Sequence, residues 1–436
     1  MFEFTSIALG VSFVFLAFVF LAKRIPLASN FTIYSFFALL YSLFPALVFA
    51  DAVPYYWTTW TTLSDSELVV ATHLGITAAC NMAFGSVFLF GLRRYATPSA
   101  PLFDRPHCSS GCVLVFVVYI VFCVAMTYLG SVFTYGTGAV KNELVHSLMS
   151  NGKVLLSALY ILFIVRFGFS WLTVVMLGGY VVLMLVEHSR WYFITVLVTT
   201  LVYLQNRGKV SNFKVILSVL GAAALLSYVA LIRVEDQMGA NLDISIQSWD
   251  DVLVLLEALL APFYGEGVFG SYMALQTYDL FWSGQPAFYT FFLDYIVDPL
   301  VYLIPRILYV AVDVYKDDVG IFSYFISSNQ PYLDEQYAPL GGFQYLAQAM
   351  SAVPFVGPVL ITLAFAGAAV WFENRRRRSP LLELHYYLFT AGFGFVFLKT
   401  MFHVTVKYYL TLMIPVLILN ALLNQLGRHS AYRRAG

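Results

Sequence analysis

Eleven mostly apolar runs, each near the length that crosses a membrane, dominate this chain of 436 residues. A helix needs about 20 such residues to cross the hydrocarbon core. A backbone in lipid must also satisfy its own hydrogen bonds, which favours helices for runs of this length. The runs are residues 4–22, 31–50, 68–92, 112–132, 153–167, 169–187, 190–205, 213–232, 353–372, 383–402 and 405–424. We therefore predict an all-α polytopic membrane protein with about 11 transmembrane helices.

The composition supports this class and excludes several others. Charged residues make up 11% of the chain and hydrophobic residues 60%, whereas soluble domains carry about 25% charged residues. Of the four cysteines, Cys80 and Cys123 lie in apolar runs, and Cys108 and Cys112 with His107 lack a fourth ligand for a metal. There is no phosphate-binding glycine loop, HExxH, paired CxxC or nucleotide-sugar signature. We therefore predict no cofactor, metal or nucleic-acid partner. An enzyme that transfers sugars but has no nucleotide-binding site would have to take its activated sugar from a lipid carrier.

Most basic residues fall on one side of the predicted membrane when the Arg375–Arg378 cluster is placed in the cytoplasm and successive spans cross in opposite directions. Short cytoplasmic loops carry an excess of Lys and Arg. Sixteen of the 24 Lys and Arg residues share the side of that cluster, namely Lys23, Arg24, Arg93, Arg94, Arg105, Arg166, Arg207, Lys209, Lys214, Arg375, Arg376, Arg377, Arg378, Arg428, Arg433 and Arg434. Of the 24 acids, only Asp104, Glu373 and Glu383 join them. The chain is predicted to have its N-terminus outside and its C-terminus in the cytoplasm.

The longest polar interval, residues 233–352, lies on the outer side between the eighth and ninth spans. It holds 15 acids against three cations. Loops beyond about 15 residues are usually functional or disordered, and the abundance of Tyr, Phe, Leu and Trp disfavours disorder. We predict interfacial helices that cover a cavity. The chain then divides into residues 1–232 with helices 1–8, the loop at 233–352, and residues 353–436 with helices 9–11 and a short cytoplasmic tail.

The few basic residues on the outer side are candidate phosphate ligands. They are Lys141, Lys153, Arg190, Arg233, Arg306, Lys316, Lys399 and Lys407. Arg190 opens the seventh span, Arg233 closes the eighth, and Arg306 lies in an apolar stretch of the loop. Converging guanidinium groups would bind a pyrophosphate and stabilise it as a leaving group. The alternative is that these arginines extend to the interface and pair with local acids such as Glu187 and Glu235.

Acidic and aromatic residues of the loop are candidates for the remaining chemistry. Attack by a sugar hydroxyl needs a general base within hydrogen-bond reach, and Glu266 lies at a glycine-flanked helix entry. Its competitors are Asp294, Asp298, Asp334, Glu335 and, beside Arg190, His188. The side chains suited to stacking on sugar rings include Tyr264, Tyr272, Tyr278 and Tyr337. The same tyrosines would equally suit an interfacial aromatic belt, and each acid could be an exposed loop residue.

Several short motifs follow one another in a characteristic order around the loop. They are Ser189-Arg190 opening a helix, Arg233 closing the next, Glu266 before Gln276, Tyr278 and Asp279, then Pro305-Arg306, and Gly341-Gly342-Phe343 before the ninth span. In this order and topology, roughly residues 185–375 resemble the O-antigen polymerase family (Wzy type), particularly its enterobacterial-common-antigen branch. Gln344 and Gln348 stand where many members have an acid.

The resemblance implies a fold, a reaction and a location. It implies a GT-C-like architecture in the bacterial inner membrane, with the N-terminus periplasmic and the loop on the periplasmic face. The growing glycan on undecaprenyl pyrophosphate would be the donor and one lipid-linked repeat unit the acceptor, without metal or nucleotide. Arg190, Arg233 and Arg306 would bind the pyrophosphate, and Glu266 would act as the base. A chain-length regulator (Wzz type) and a flippase are the implied protein partners.

Three other functions compete with the polymerase interpretation. An O-antigen ligase shares the fold and usually carries a prominent loop histidine, but residues 233–352 contain no histidine. A lipid-linked oligosaccharide flippase or other transporter would carry charges at the bilayer midplane and paired broken helices, whereas the charges here fall at the ends of the predicted spans. A structural membrane scaffold is the third.

Overall fold

The computed structural model describes residues 1–50, 67–93, 95, 110–132, 143–187, 191–238, 294–304, 345–353, 355–399 and 402–435. The helices are α1 (Phe2–Lys23), α2 (Asn30–Phe49), α3 (Glu67–Gly91), α4 (Ser110–Val132), α5 (Glu143–Phe167), α6 (Trp171–Glu187), α7 (Trp191–Asn206), α8 (Asn212–Met238), α9 (Asp294–Leu303), α10 (Tyr345–Ala352), α11 (Val356–Arg375), α12 (Pro380–Phe389), α13 (Val396–Lys399) and α14 (Phe402–Ala435). A π-helical segment, Thr390–Phe395, joins α12 to α13. No strand occurs within these ranges.

The all-helical prediction is confirmed, and the helices indicate a multi-pass membrane protein. Five of those in the described ranges are long and apolar enough to cross a bilayer: α1, α3, α4, α11 and α14. Shorter apolar stretches occur in α2, α6, α7 and α8. Helix is present at each of the eleven predicted apolar runs, but the count of eleven crossings and the GT-C-like architecture stay predictions.

One helix is longer than its apolar run indicated. The predicted span 153–167 is the second part of α5, which begins at Glu143. Hydropathy marks where a helix becomes apolar rather than where its backbone hydrogen bonding begins, so the polar first ten residues were not recognised as helix. Lys153 consequently lies inside α5, about 15 Å along the axis from its first residue.

The helices form two compact units, the first comprising Met1–Ala96, Leu260–Asn374 and Phe393–Lys407. Within it α1 and α3 are parallel, because the Met1 amino group contacts Glu67 Oε1 at 2.9 Å at one end and Lys23 Nζ donates to the Leu92 carbonyl at the other. The Asn374 side chain, at the C-terminal end of α11, donates to the Gly91 carbonyl at 2.9 Å. The C-terminal ends of these three helices therefore meet, which agrees with the predicted alternation of odd-numbered spans.

A sharp turn in the first unit brings α10 against the start of α11. Phe355 adopts the left-handed conformation, with φ 61°, between the two helices. Gly357 then lies so close to α10 that a Cβ atom there would be 1.9 Å from the Ala349 carbonyl oxygen. Only glycine permits this approach of two backbones. The Tyr345 hydroxyl of α10 also lies 3.2 Å from Thr362 Oγ1 of α11, which fixes the pair further.

The second unit, Thr97–Leu259, Arg375–Gly392 and Tyr408–Gly436, is built around α5. This helix contacts α4, α6, α7 and α12, and its residues 156–165 are at most 2% exposed. A helix that is apolar on every side must be surrounded by other helices. At its C-terminal end Arg166 Nη1 donates to Asn420 Oδ1 of α14 at 2.6 Å. In the same unit, Arg207, the residue that follows α7, forms a buried ion pair with Glu383 of α12.

Candidate functional site

The residues predicted from sequence to form the site fall almost wholly outside the described part of the chain. This holds for Glu266, Arg190, Arg306, Tyr264, Tyr272, Tyr278 and Tyr337. Arg233 lies in α8 near its C-terminal end, with its backbone alone described. Their convergence stays a prediction, and the site below is built from described residues of the second unit.

A buried lysine is the central feature of this site. Lys153 is 9% exposed and lies in α5, thirteen residues before Arg166. At about 1.5 Å per residue the two cations are roughly 20 Å apart along the helix axis. A cation buried in an apolar helix is costly unless it has a partner, so Lys153 is a candidate functional residue.

An aromatic ring compensates part of that cost. Lys153 Nζ lies 5.3 Å from the centre of the Tyr192 ring. The face of an aromatic ring attracts a cation, and this attraction reaches about 2 kcal/mol when the pair is removed from water. Tyr192 is the second residue of α7, so the contact joins α5 to the beginning of α7.

The contact between Lys153 and Tyr192 relates this site to the position of Arg190 in the sequence. Tyr192 follows Arg190 by two residues. It precedes Arg207 by fifteen residues, or about 22 Å of helix. Lys153 in α5 and Tyr192 in α7 therefore lie at similar distances from the arginines near the C-terminal ends of their helices, Arg166 and Arg207.

Hydroxyl groups surround the backbone at Lys153 and attach α6 to α5. The Tyr180 hydroxyl donates to the Lys153 carbonyl at 2.7 Å and lies 2.6 Å from Ser157 Oγ. Ser157 is itself one helical turn beyond Lys153 and bonds to the same carbonyl at 3.1 Å. These bonds hold the lysine backbone in place, because both hydroxyls are buried and lack competing water.

A third tyrosine closes the cluster from α14. The Tyr408 ring centre lies 6.0 Å from that of Tyr192. Its hydroxyl is buried near Ser157 and Thr195 but makes no hydrogen bond of good geometry within the described ranges. A buried hydroxyl without a well-aligned partner costs about 1–3 kcal/mol and calls for an explanation, such as a water, an ion or a catalytic role. We call Lys153, Ser157, Tyr180, Tyr192 and Tyr408 the lysine–tyrosine cluster.

The lysine–tyrosine cluster has the chemistry of an anion site with aromatic walls. An ammonium group and a phenol hydroxyl both donate hydrogen bonds to phosphate oxygens, and they do so strongly where the dielectric constant is low. Tyrosine rings can also stack on sugars. Among the side chains that the structure describes, no group of three His, Cys, Asp or Glu could hold a metal ion.

Sequence reasoning identified only one member of this cluster as notable. Lys153 appears among the outer cations, but as the first residue of a short span, where a lysine at a helix end needs no explanation. The available signal was the polar pair Lys153 and Ser157, four residues apart on one face of an apolar helix. Tyr180, Tyr192 and Tyr408 are indistinguishable from core tyrosines without the tertiary contacts.

Comparison with known proteins adds no relative to this picture. Neither the protein-family models nor the curated proteins nor the solved structures give a match. The features of the chain that bear on its function are therefore the order of its motifs, its predicted topology and the lysine–tyrosine cluster.

Proposed function

We propose that this protein is a lipid-linked glycosyltransferase that polymerises undecaprenyl-pyrophosphate-linked oligosaccharide repeat units into a long polysaccharide, such as O-antigen or a related surface glycan. The observation that carries the proposal is the contact of the buried Lys153 with Tyr192, two residues after Arg190 in the sequence. A pyrophosphate-binding site requires several positive charges at one level with little water, and a buried cation that contacts the residue two positions after Arg190 in the sequence supports such a site.

The proposed reaction is a direct transfer between two lipid-linked sugars. The terminal hydroxyl of the acceptor attacks the anomeric carbon of the donor, and the bond from that carbon to the pyrophosphate oxygen breaks. Glu266 takes the hydroxyl proton, and the lipid pyrophosphate leaves with the bonding electrons. Arg190, Arg233, Arg306 and Lys153 stabilise the charge that develops on the leaving group.

The cluster contributes position as well as charge to this mechanism. Tyr180 and Ser157 bond to the backbone carbonyl of Lys153, and the Tyr180 bond joins α6 to α5 at this residue. A rigid support of this kind keeps a charged group aligned with the place where negative charge develops. The Tyr408 hydroxyl is available to donate to a phosphate or sugar oxygen, because no hydrogen bond of good geometry occupies it among the described residues.

A lipid-linked oligosaccharide flippase is the second candidate, and one observation favours it. Lys153 lies well inside α5 rather than at its end, and charges within helices are typical of transport pathways. The ligase alternative gains no support from the described residues. The three functions differ in the glycan that accumulates when the protein is lost.

The test is complementation of a strain from which the gene has been deleted. Surface polysaccharide capped with a single repeat unit indicates a polymerase, polymer that is not attached to core indicates a ligase, and repeat units trapped inside the cell indicate a flippase. We expect Lys153→Gln to abolish long polymer, and Lys153→Arg to restore part of it, at normal abundance in the membrane. The matched control is Lys214→Gln, which removes an exposed lysine. Full-length glycan ladders from Lys153→Gln would remove Lys153 from the site.

A further inference from the structure

A histidine is almost wholly buried inside the third helix. His73 follows Glu67, the first residue of α3, by six residues, or about 9 Å of helix, and it is 2% exposed. It belongs to the apolar part of α3, Val70–Gly91, which is long enough to cross a membrane. An ionisable side chain at such a position is costly unless it has a partner, so the partner of His73 bears on its role.

That partner is a backbone carbonyl of the neighbouring helix α2. His73 Nε2 lies 2.9 Å from the Tyr41 carbonyl oxygen, and the imidazole donates this bond, because a carbonyl can only accept. In an α-helix each carbonyl ordinarily accepts from the N–H four residues later, and four residues after Tyr41 stands Pro45. Proline has no N–H, so His73 supplies a donor at the place where the helical donor is missing.

A serine next to Tyr41 also favours bending of α2 at this place. Ser42 is buried, and its Oγ donates to the Ala38 carbonyl at 2.6 Å. A serine that bonds back to the preceding turn often bends a helix, and sharp kinks in helices occur most often at proline. The stretch from Tyr41 to Pro45 is therefore the part of α2 that bends most easily.

The end of α2 beyond Pro45 has contacts of its own. Ala46 and Phe49 pack against the buried cluster formed by Leu9 of α1 with Val70, Leu74 and Ala78 of α3. The centre of the Phe49 ring also lies 4.6 Å from that of Phe2. These contacts attach the end of α2 to α1 and α3 on the far side of the missing backbone bond.

We propose that α2 has a hinge at Pro45, which His73 holds closed through its hydrogen bond to the Tyr41 carbonyl. With this bond formed, α3 and α2 are joined at the hinge, and the end of α2 stays on its apolar cluster. When the bond breaks, the donor that replaces the missing N–H is lost, and the end of α2 separates from α1 and α3 more often. The hinge does not depend on the reaction that the protein catalyses.

Hydrogen exchange of the purified full-length protein in detergent, followed by mass spectrometry, tests the hinge. In His73→Leu we expect the amide groups of residues 46–49 to exchange about tenfold faster, because a buried carbonyl loses a hydrogen bond. Residues 30–40 should keep their rates. His73→Gln retains a side-chain N–H donor and should stay within about twofold of the wild-type protein. The matched control is His385→Leu, which removes a half-buried histidine of α12 in the second unit and should leave residues 46–49 unchanged.

The variant Pro45→Ala separates the hinge from a general effect of His73 on packing. Alanine restores the N–H from which the Tyr41 carbonyl accepts in a regular helix. In that background we expect His73→Leu to change exchange at residues 46–49 by no more than about twofold, since the two substitutions act on one hydrogen bond.

Several results would overturn the proposal. An equal effect of His73→Leu with and without Pro45→Ala would show that His73 does not replace the missing donor. Exchange as fast in His73→Gln as in His73→Leu would assign the effect to packing of the ring. Unchanged exchange in His73→Leu would show that this bond does not hold the end of α2, and faster exchange throughout residues 30–49 would indicate unfolding of the whole helix rather than a hinge.

Discussion

The buried ion pair between Arg207 and Glu383 allows a quantitative test of how the second unit is held together. Their side chains are only 6% and 9% exposed, and the contact joins the end of α7 to the first turn of α12. The second oxygen of Glu383 is buried without a hydrogen-bond partner in the described ranges. Removing one member of such a pair leaves an uncompensated charge in a poorly hydrated place, which costs about 3–5 kcal/mol.

The expected loss in unfolding free energy differs between the two single variants. Glu383→Met leaves the Arg207 guanidinium 5.3 Å from the Tyr203 ring centre, so part of its interaction energy is retained, and we expect a loss of about 3 kcal/mol in unfolding free energy. Arg207→Met leaves a buried carboxylate and also forfeits the contact with Tyr203, so we expect about 4–5 kcal/mol. The double variant places two apolar side chains together and should cost less than about 2 kcal/mol.

The assay is reversible unfolding in mixed micelles, followed by circular dichroism as the fraction of denaturing detergent rises. A double-mutant cycle isolates the interaction between the two residues, and we expect a coupling energy of at least ~3 kcal/mol. Arg378→Met is the matched control, because it removes an exposed arginine and should change stability by no more than ~0.5 kcal/mol. If the two single losses simply add in the double variant, α7 and α12 are not joined by this pair and our account of the unit is wrong.

Two further substitutions test close contacts. Gly357→Ala should destabilise the protein by at least ~2 kcal/mol in the same unfolding assay, because the new methyl group would overlap the Ala349 carbonyl oxygen. A stability equal to that of the wild-type protein would contradict the close approach of α10 and α11. Tyr408→Phe should raise the unfolding free energy by up to ~1 kcal/mol, because it removes a buried hydroxyl that lacks a good hydrogen bond. The same variant should lower the yield of long polymer on glycan gels. Reduced stability, or unchanged polymer, would show that the hydroxyl is satisfied within the protein.

The positions of the helices could be predicted from sequence because hydropathy is a local property. Each apolar run coincides with helix, and the ends that carry basic residues meet where alternation requires, as at Lys23 and Asn374. The polar beginning of α5 and the extension of α14 to Ala435 were not predicted. In both stretches the helix extends beyond the apolar run, before it in α5 and after it in α14.

The candidate site was predictable only in part, because a functional constellation depends on contacts between distant residues. Nothing in the sequence around Lys153 and Tyr192, 39 positions apart, indicates that they touch. The π-helical segment Thr390–Phe395 within the tenth apolar run was equally hidden. The order of motifs selects Arg190 and Glu266 but does not identify the residues that contact them.

The position of Lys153 within α5 also sets the length of uncharged helix between its two cations. Between Lys153 and Arg166 only twelve residues intervene, which is about 18 Å of helix against a hydrocarbon layer of about 30 Å. Neighbouring helices enclose this stretch, so in the predicted membrane crossing the difference in length would be met by protein rather than by a distortion of the surrounding lipid. A charged headgroup seated at the lysine would rest in a recess well below the bilayer surface, sheltered from bulk solvent while its hydrocarbon chain stays at its ordinary depth.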